Sequence, residues 1–265
     1  MLRAADAVVP LKFAAIAAWL SIGAALIAVV NPALYQGVLD ETLLVGMLGG
    51  DVTSLVVAVL VLGGLRVIRR GRNESWLVVP GLVAYLMYAY SLYTFGLVYT
   101  PLYPVYAAIV ACAAWSLVLM ALRVDHASIN RALSPHFPRR TTGAYLLGVV
   151  AMFVALWSVL LWQAVRDQSV IPAGVVIAFD LTFALPLLAI VALLLLRRRV
   201  TGELLAVPVL VMTAAITGSV GVAECFKPVM GAPIDAAMAA VYFAPAIGAG
   251  ALAFAGYRAL ASNNA

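Results

Sequence analysis

Residues 79–106 read VPGLVAYLMYAYSLYTFGLVYTPLYPVY and combine a long apolar run with seven of the protein's 11 tyrosines. These seven are Tyr85, Tyr88, Tyr90, Tyr93, Tyr99, Tyr103 and Tyr106. A phenol hydroxyl in hydrocarbon requires a hydrogen-bond partner, so this density of tyrosine indicates a polar or water-lined interior beside the helix. The short break at residues 99–103 predicts two antiparallel helices joined by a tight connection.

The composition of the whole chain identifies the class of protein. Of its 265 residues, 66% are hydrophobic and only 10% are charged, whereas a soluble domain is about 45–50% apolar. We therefore predict an all-α, polytopic helical membrane protein, with residues 1–265 forming one domain that is surrounded by the lipid bilayer. The net charge of +5 comes from basic residues between apolar segments, a pattern that reports topology and does not favour nucleic acid as a partner.

Eight segments are long and apolar enough to cross a bilayer, which requires about 20 residues of helix. They lie at about 11–30, 52–68, 76–98, 104–122, 141–165, 172–196, 204–226 and 236–260. Between the first two, residues 33–50 are predicted to form a short helix in the membrane interface. Asp51 is then expected to act as the N-cap of the second span.

The basic residues partition sharply when alternate connections are assigned to the same side of the membrane. One side carries 14 of the 16, namely Arg3, Lys12, Arg66, Arg69, Arg70, Arg72, Arg123, Arg131, Arg139, Arg140, Arg197, Arg198, Arg199 and Arg258. The other side has Arg166 and Lys227. The positive-inside rule therefore predicts eight spans with both termini in the cytoplasm.

Asp180 is the sharpest single feature of the predicted spans. It follows Pro172 by eight residues, hence about 12 Å of helix, at a depth where an ionised carboxylate is costly unless it has a partner. An acid in this position is a candidate functional group, and the alternative is a packing role in which it is hydrogen-bonded or protonated. Pro186, six residues later, frees a backbone carbonyl and favours a kink.

The helix around residue 88 carries two separate aromatic stripes. At about 100° per residue, Tyr85 and Tyr88 lie on one stripe, and Tyr90 and Tyr93 lie on another. Only one stripe can line a narrow pocket, while the other packs against neighbouring helices. We predict a pocket in the outer half of the membrane formed by Asp180, Tyr85, Tyr88 and Glu224, although Glu224 is also close enough to its helix end to reach water.

Small residues recur every fourth position in the last two predicted spans. The stripes are Ala214, Gly218 and Val222, then Ala215, Ser219 and Ala223, and finally Ala244, Gly248, Leu252 and Gly256. Such stripes favour close helix packing, either within the chain or in a homodimer.

Several function classes lack their usual residues. His126 and His136 both fall in the connection at 123–140, so no predicted span offers a histidine for haem ligation. The two cysteines, Cys112 and Cys225, show no metal-binding spacing, and no phosphate-binding loop, HExxH or GxSxG motif is present. We therefore predict no cofactor, no metal site and no catalytic residues. An enzymatic function is disfavoured.

Several stretches resemble a family of bacterial polytopic inner-membrane proteins with no assigned activity. They are Gly50-Asp51 ahead of a span that ends in Arg69-Arg70, the run YLMYAYSLYTFG at 85–96, DLTFALP at 180–186, and the three arginines at 197–199. The resemblance implies a multi-pass protein of the bacterial inner membrane and supplies no activity.

These observations support two hypotheses of different kinds. The first is a transporter or channel for a small solute or protons, in which Asp180 is the ion or proton site. The alternative is a membrane scaffold or sensor that transports nothing and binds a partner protein through the basic connection at 123–140.

Overall fold

The computed structural model describes residues 8–39, 41–71, 73–123, 134–171 and 173–261. These residues are all-helical, with 86% of them in helix, and eight of the helices are long and apolar enough to span a membrane, which confirms the predicted number. In chain order they are α1 (Val8–Val30), α2 (Glu41–Arg69), α3 (Val79–Phe95), α4 (Tyr103–Leu122), α5 (Arg139–Asp167), α6 (Gly174–Leu196), α7 (Val200–Phe226) and α8 (Ala236–Ala261). Helix α3 reaches this length together with the 3₁₀ turn Asn73–Leu77 that precedes it.

The surface of the bundle is apolar, and several polar groups are inside. Trp19, Trp115 and Phe254 project outward, whereas Asp51 and Asp180 are buried. A protein in water favours the opposite arrangement, because exposed apolar area costs free energy and buried charge requires partners. This outward-facing apolar surface suits a hydrocarbon environment.

The helices form two packed groups that meet at α3 and α7. Helices α1 to α4 share one hydrophobic cluster, and α5 to α8 share most of a second. Helix α7 packs on α8 and α6 and also on α2 and α3, while α3 contacts α1, α2, α4 and the first turns of α6. Helix α3 therefore has one face toward each group, and its tyrosines lie at the junction.

Helix α2 begins well before the predicted start of the second span. It starts at Glu41, so the predicted interfacial helix within residues 33–50 and the predicted N-cap at Asp51 are both wrong, while Asp40 lies outside the described residues. The segment is helical because it packs against α7, where the backbone of Gly49 lies directly on Ala223. Asp51 consequently lies about 15 Å along α2 from its first residue.

The small-residue stripes of α7 and α8 are used for contacts within the chain. Ala223 lies against Gly49 of α2, Gly248 lies against Tyr145 of α5, and Gly256 lies against Phe137 and Val207. A Cβ at Gly248 or Gly256 would approach an aromatic ring to within 3 Å. Packing inside one chain thus accounts for these two glycines, and the homodimer stays a prediction.

Replacement of Gly49 by alanine should separate α2 from α7. The new Cβ would lie 2.5 Å from the Cα of Ala223, a backbone contact that cannot yield, and overpacking of this kind costs about 1–3 kcal/mol. We expect Gly49→Ala to lower the free energy of unfolding by this amount, measured by denaturation in mixed detergent micelles.

Gly46 on the same helix is the matched control. Nothing lies within 4 Å of a Cβ built there, and alanine is the better helix former by about 1 kcal/mol. Gly46→Ala should therefore leave stability unchanged or raise it. Equal effects of the two substitutions would contradict the α2–α7 contact.

Candidate functional site

Asp180 is held by two neutral hydrogen-bond donors from two other helices. Its side chain is only 8% exposed. The Tyr88 hydroxyl of α3 donates to Oδ1 at 2.7 Å, and the Trp157 indole N–H of α5 donates to Oδ2 at 3.0 Å. Within the part of the chain that the structure describes, no basic side chain pairs with this acid. The structure thus brings together Asp180 and Tyr88, two of the residues selected from the sequence.

The backbone of α6 is irregular at this acid. Residues Asp180–Ala184 form a π-helical turn, and the Leu185 N–H bonds to the Asp180 carbonyl five residues back. Pro186 has no N–H to donate, so the regular α-helical ladder cannot run through this turn. Single π turns inside α-helices often mark functional sites, and this one bears the buried carboxyl group.

A cavity of about 60 Å³ lies beside Asp180 and is also lined by Trp157, Tyr242, Thr213 and Thr217. Thr213 and Thr217 each donate their hydroxyl hydrogen to a carbonyl one turn back, at 2.8 Å. Their oxygens therefore keep lone pairs for a guest in the cavity. With a carboxyl group and hydroxyl acceptors on its wall, the cavity has room for a few waters and suits a proton or a small cation more than an anion.

A second, larger space lies on the other side of Tyr88. This groove, of about 830 Å³, is formed by α3, α4 and α6 and shares Tyr88, Ala184 and Met212 with the small cavity. It extends from Gly174, at the start of α6, to Leu187, about 20 Å of helix. Its wall is mostly apolar, with Ser91 and Thr182 as polar exceptions. Tyr88 and its two neighbours therefore separate the groove from the acid.

Tyr85 and Glu224 lie elsewhere. The Tyr85 hydroxyl faces α2, where it donates to the Gly50 carbonyl at 3.3 Å and lies 3.5 Å from the Ser54 hydroxyl. Glu224 forms an ion pair with Lys227 at 2.7 Å. Neither residue is among those that line the Asp180 cavity. Three residues of helix separate Tyr85 from Tyr88 by about 60°, which is enough to turn the two hydroxyls toward different helices.

A second buried acid, Asp51, lies on the opposite side of α3 and was not selected from the sequence. It is 1% exposed. Tyr35 donates to its Oδ2 at 2.8 Å, and Tyr93 donates to its Oδ1 at 2.9 Å. Burial raises the pKa of Tyr35, which lies in the connection between α1 and α2, so this phenol stays protonated and donates. Two features of the sequence point to this site, namely the second tyrosine stripe and an acid that is followed directly by an apolar run.

An ion pair joins the starts of α5 and α7, at the end of the bundle opposite Asp51. Glu203 at the start of α7 bonds to the Arg139 guanidinium and accepts the Ser134 N–H at 3.1 Å. This pair anchors the end of the 123–140 connection, of which residues 124–133, including His126, lie outside the described residues. Among the described residues, no group of three or more His, Cys, Asp and Glu side chains is placed to hold a metal ion.

The fold and site define a polytopic helical protein with two buried, phenol-bound acids. No family model, curated protein or solved structure matches the chain. The resemblance to a family of bacterial inner-membrane proteins stays a prediction.

Tyr88→Phe should destabilise the protein, because it removes the donor to Asp180 Oδ1 without opening a large cavity. The loss of one hydrogen bond to a buried acid costs about 1–3 kcal/mol, and we expect a fall of this size in the free energy of unfolding in mixed micelles. Tyr99, which is 64% exposed, is the control, since Tyr99→Phe should change stability by less than about 0.5 kcal/mol. A Tyr88→Phe variant as stable as Tyr99→Phe would contradict this role.

Proposed function

We propose that this chain is a bacterial inner-membrane transporter or channel for protons or a small cationic solute, with Asp180 as the ion or proton site. The observation that carries the proposal is a buried carboxyl group that faces a small cavity and that, among the described residues, is held by neutral donors only. When it is ionised, a carboxylate held by a phenol and an indole has no compensating positive charge beside it, whereas one paired with arginine is already neutralised. Such a group can bind and release a proton or cation.

The surroundings of Asp180 support a transport role. The π turn interrupts α6 at the acid, and broken helices of transporters commonly carry the binding site. The groove on the far side of Tyr88 starts at the same end of the bundle as α6. In this proposal the groove is the path by which the proton or cation reaches Asp180, and Tyr88 is the barrier between them. Because the Tyr88 hydroxyl donates directly to Asp180, binding at the acid can change the position of this barrier.

The orientation follows from charge. The positive-inside rule puts the connection that carries Arg197, Arg198 and Arg199 in the cytoplasm, together with both termini. The end of the bundle where α6 begins then faces outward, and Asp180 lies in the outer half of the membrane. Protons would reach the site from the periplasmic side.

Asp180→Asn should abolish proton flux. Proteoliposomes with an internal pH dye and an imposed pH gradient provide the measurement, and we expect the rate to fall at least tenfold to the level of empty vesicles. Asp167→Asn is the control, since Asp167 is exposed and pairs with Arg166. Wild-type flux in Asp180→Asn would overturn the role of this acid.

The class of protein is tested by the same assay. If the unmodified protein moves neither protons nor small cations, the transport proposal fails. Co-purification of a stoichiometric partner that is lost on replacing residues 123–140 would then support the scaffold or sensor alternative.

The orientation is tested by reporter fusions. Alkaline phosphatase, which is active only outside the cytoplasm, should be inactive when fused after Ala265 and active when fused after Gly231, in the connection between α7 and α8. The reverse pattern would contradict the assigned orientation.

A further inference from the structure

Asp51 is a buried carboxyl group surrounded by tyrosine hydroxyls, and it has no part in the proposed Asp180 site. Its carboxyl group lies inside the bundle, below the connections that join α1 to α2 and α3 to α4. Three phenols from three parts of the chain meet there: Tyr35 from the first connection, Tyr93 from α3 and Tyr106 from α4. The rings of Tyr93 and Tyr106 have centroids 4.9 Å apart, so the phenols form one packed cluster.

Each phenol that donates to Asp51 has a second acceptor within reach. The Tyr35 hydroxyl oxygen is 3.4 Å from that of Tyr106, and the Tyr93 hydroxyl is 3.0 Å from the Met47 carbonyl. When Asp51 is ionised, both phenols can donate to it. When it is protonated, one phenol can turn its hydrogen to the second acceptor and accept from the acid. The cluster thus satisfies both protonation states without leaving a buried hydroxyl unpaired.

No charge of opposite sign faces this acid from the described parts of the elements packed around it. The connection contributes Tyr35, α3 contributes Tyr85, Tyr90 and Tyr93, and α4 contributes Tyr106. In the last turn of α7, Glu224 is paired with Lys227, the residue that directly follows the helix. A buried anion without a cation is costly, so protonation competes directly with the two phenol hydrogen bonds.

A chain of hydroxyls leads from Asp51 toward the end of the bundle. The Tyr35 hydroxyl lies between Asp51 and Tyr106, and the Thr100 hydroxyl is 3.5 Å from the Tyr106 hydroxyl. Thr100 belongs to the connection between α3 and α4, where it is 7% exposed and follows the exposed Tyr99 in the chain. The spacing of 3.4–3.5 Å at two steps requires a small movement of each ring to tighten the relay.

We propose that Asp51 is a second proton-binding site, loaded from this end of the bundle through the hydroxyls of Thr100, Tyr106 and Tyr35. A proton that arrives at Thr100 displaces that residue's own hydrogen to Tyr106, which passes its hydrogen to Tyr35, and Tyr35 passes its hydrogen to Asp51 Oδ2. Each hydroxyl gains one proton and gives one away, and the carboxylate becomes a carboxylic acid. The site is distinct from Asp180 and does not depend on the proposed transport activity.

Infrared difference spectroscopy tests the site directly. Protein in lipid vesicles is compared between acid and alkaline buffer, and protonation of a buried carboxylate gives a carboxylic C=O stretching band. We expect Asp51→Asn to remove one such band and Asp180→Asn to leave that band in place. A spectrum of Asp51→Asn that is identical to the unmodified protein would overturn the proposal, whatever the flux assay shows.

Phenol variants keep the test decisive if Asp51→Asn does not fold. Tyr35→Phe should shift the Asp51 band to higher frequency, because the acid loses a hydrogen-bond partner. Tyr106→Phe leaves the Tyr35–Asp51 bond in place and breaks the relay, so after a pH jump the band should appear at least tenfold more slowly with its final amplitude unchanged.

Tyr90→Phe is the matched control for both variants. Tyr90 is buried in the same cluster, and its ring packs on those of Tyr93 and Tyr106, but its hydroxyl donates to the Ser21 carbonyl at 3.1 Å. It should change neither the band nor its rate. Equal rates in Tyr106→Phe and Tyr90→Phe would overturn the relay, and an unshifted band in Tyr35→Phe would overturn the assignment to Asp51.

Discussion

The structure depends on the need of two buried carboxyl groups for hydrogen-bond donors. Asp51 on α2 and Asp180 on α6 lie on different sides of α3, which gives one tyrosine to each. Tyr93 and Tyr88 are five residues apart, so their side chains point about 140° from one another. Helix α3 therefore links the two halves of the bundle through polar contacts as well as through packing, and the position of each acid is specified by the same short segment.

The four buried acids among the described residues fall into two kinds. Glu203 pairs with Arg139 and Glu224 pairs with Lys227, both at helix ends. Asp51 and Asp180 lie deeper, and their donors within the described parts of the chain are all neutral. In an ion pair each charge neutralises the other. Phenols and an indole, in contrast, orient a carboxyl group without neutralising it. This difference is the physical basis of the two proposals, which assign ion or proton exchange to Asp180 and proton binding to Asp51.

Part of the candidate site could be predicted from residue type and depth alone. Asp180 is conspicuous because a lone acid inside an apolar run is costly wherever that run is placed, and Tyr88 lies on one of the two stripes that the helical period defines. Tyr85 shares that stripe but faces α2, and Glu224 finds Lys227 three residues away. The sequence predicts Asp51 to be a helix cap because the polar and glycine-rich residues around it lower the local hydropathy. In the structure, glycine at position 49 allows α2 to contact Ala223 of α7.

The sequence by itself determined the class of protein, the number of helices and, except for the start of α2, their approximate ends. Those properties follow from apolar length and residue period, which are local and need no knowledge of neighbours. Which tyrosine meets which acid was decided only by the tertiary structure. That pairing depends on how α2, α3 and α6 are rotated and staggered against each other, and glycine contacts, the π turn at Asp180 and close packing on α7 set those rotations. The tyrosine-rich segment at 79–106 thus indicated a polar interior. The tertiary structure pairs one of its tyrosines with Asp180 and another with Asp51.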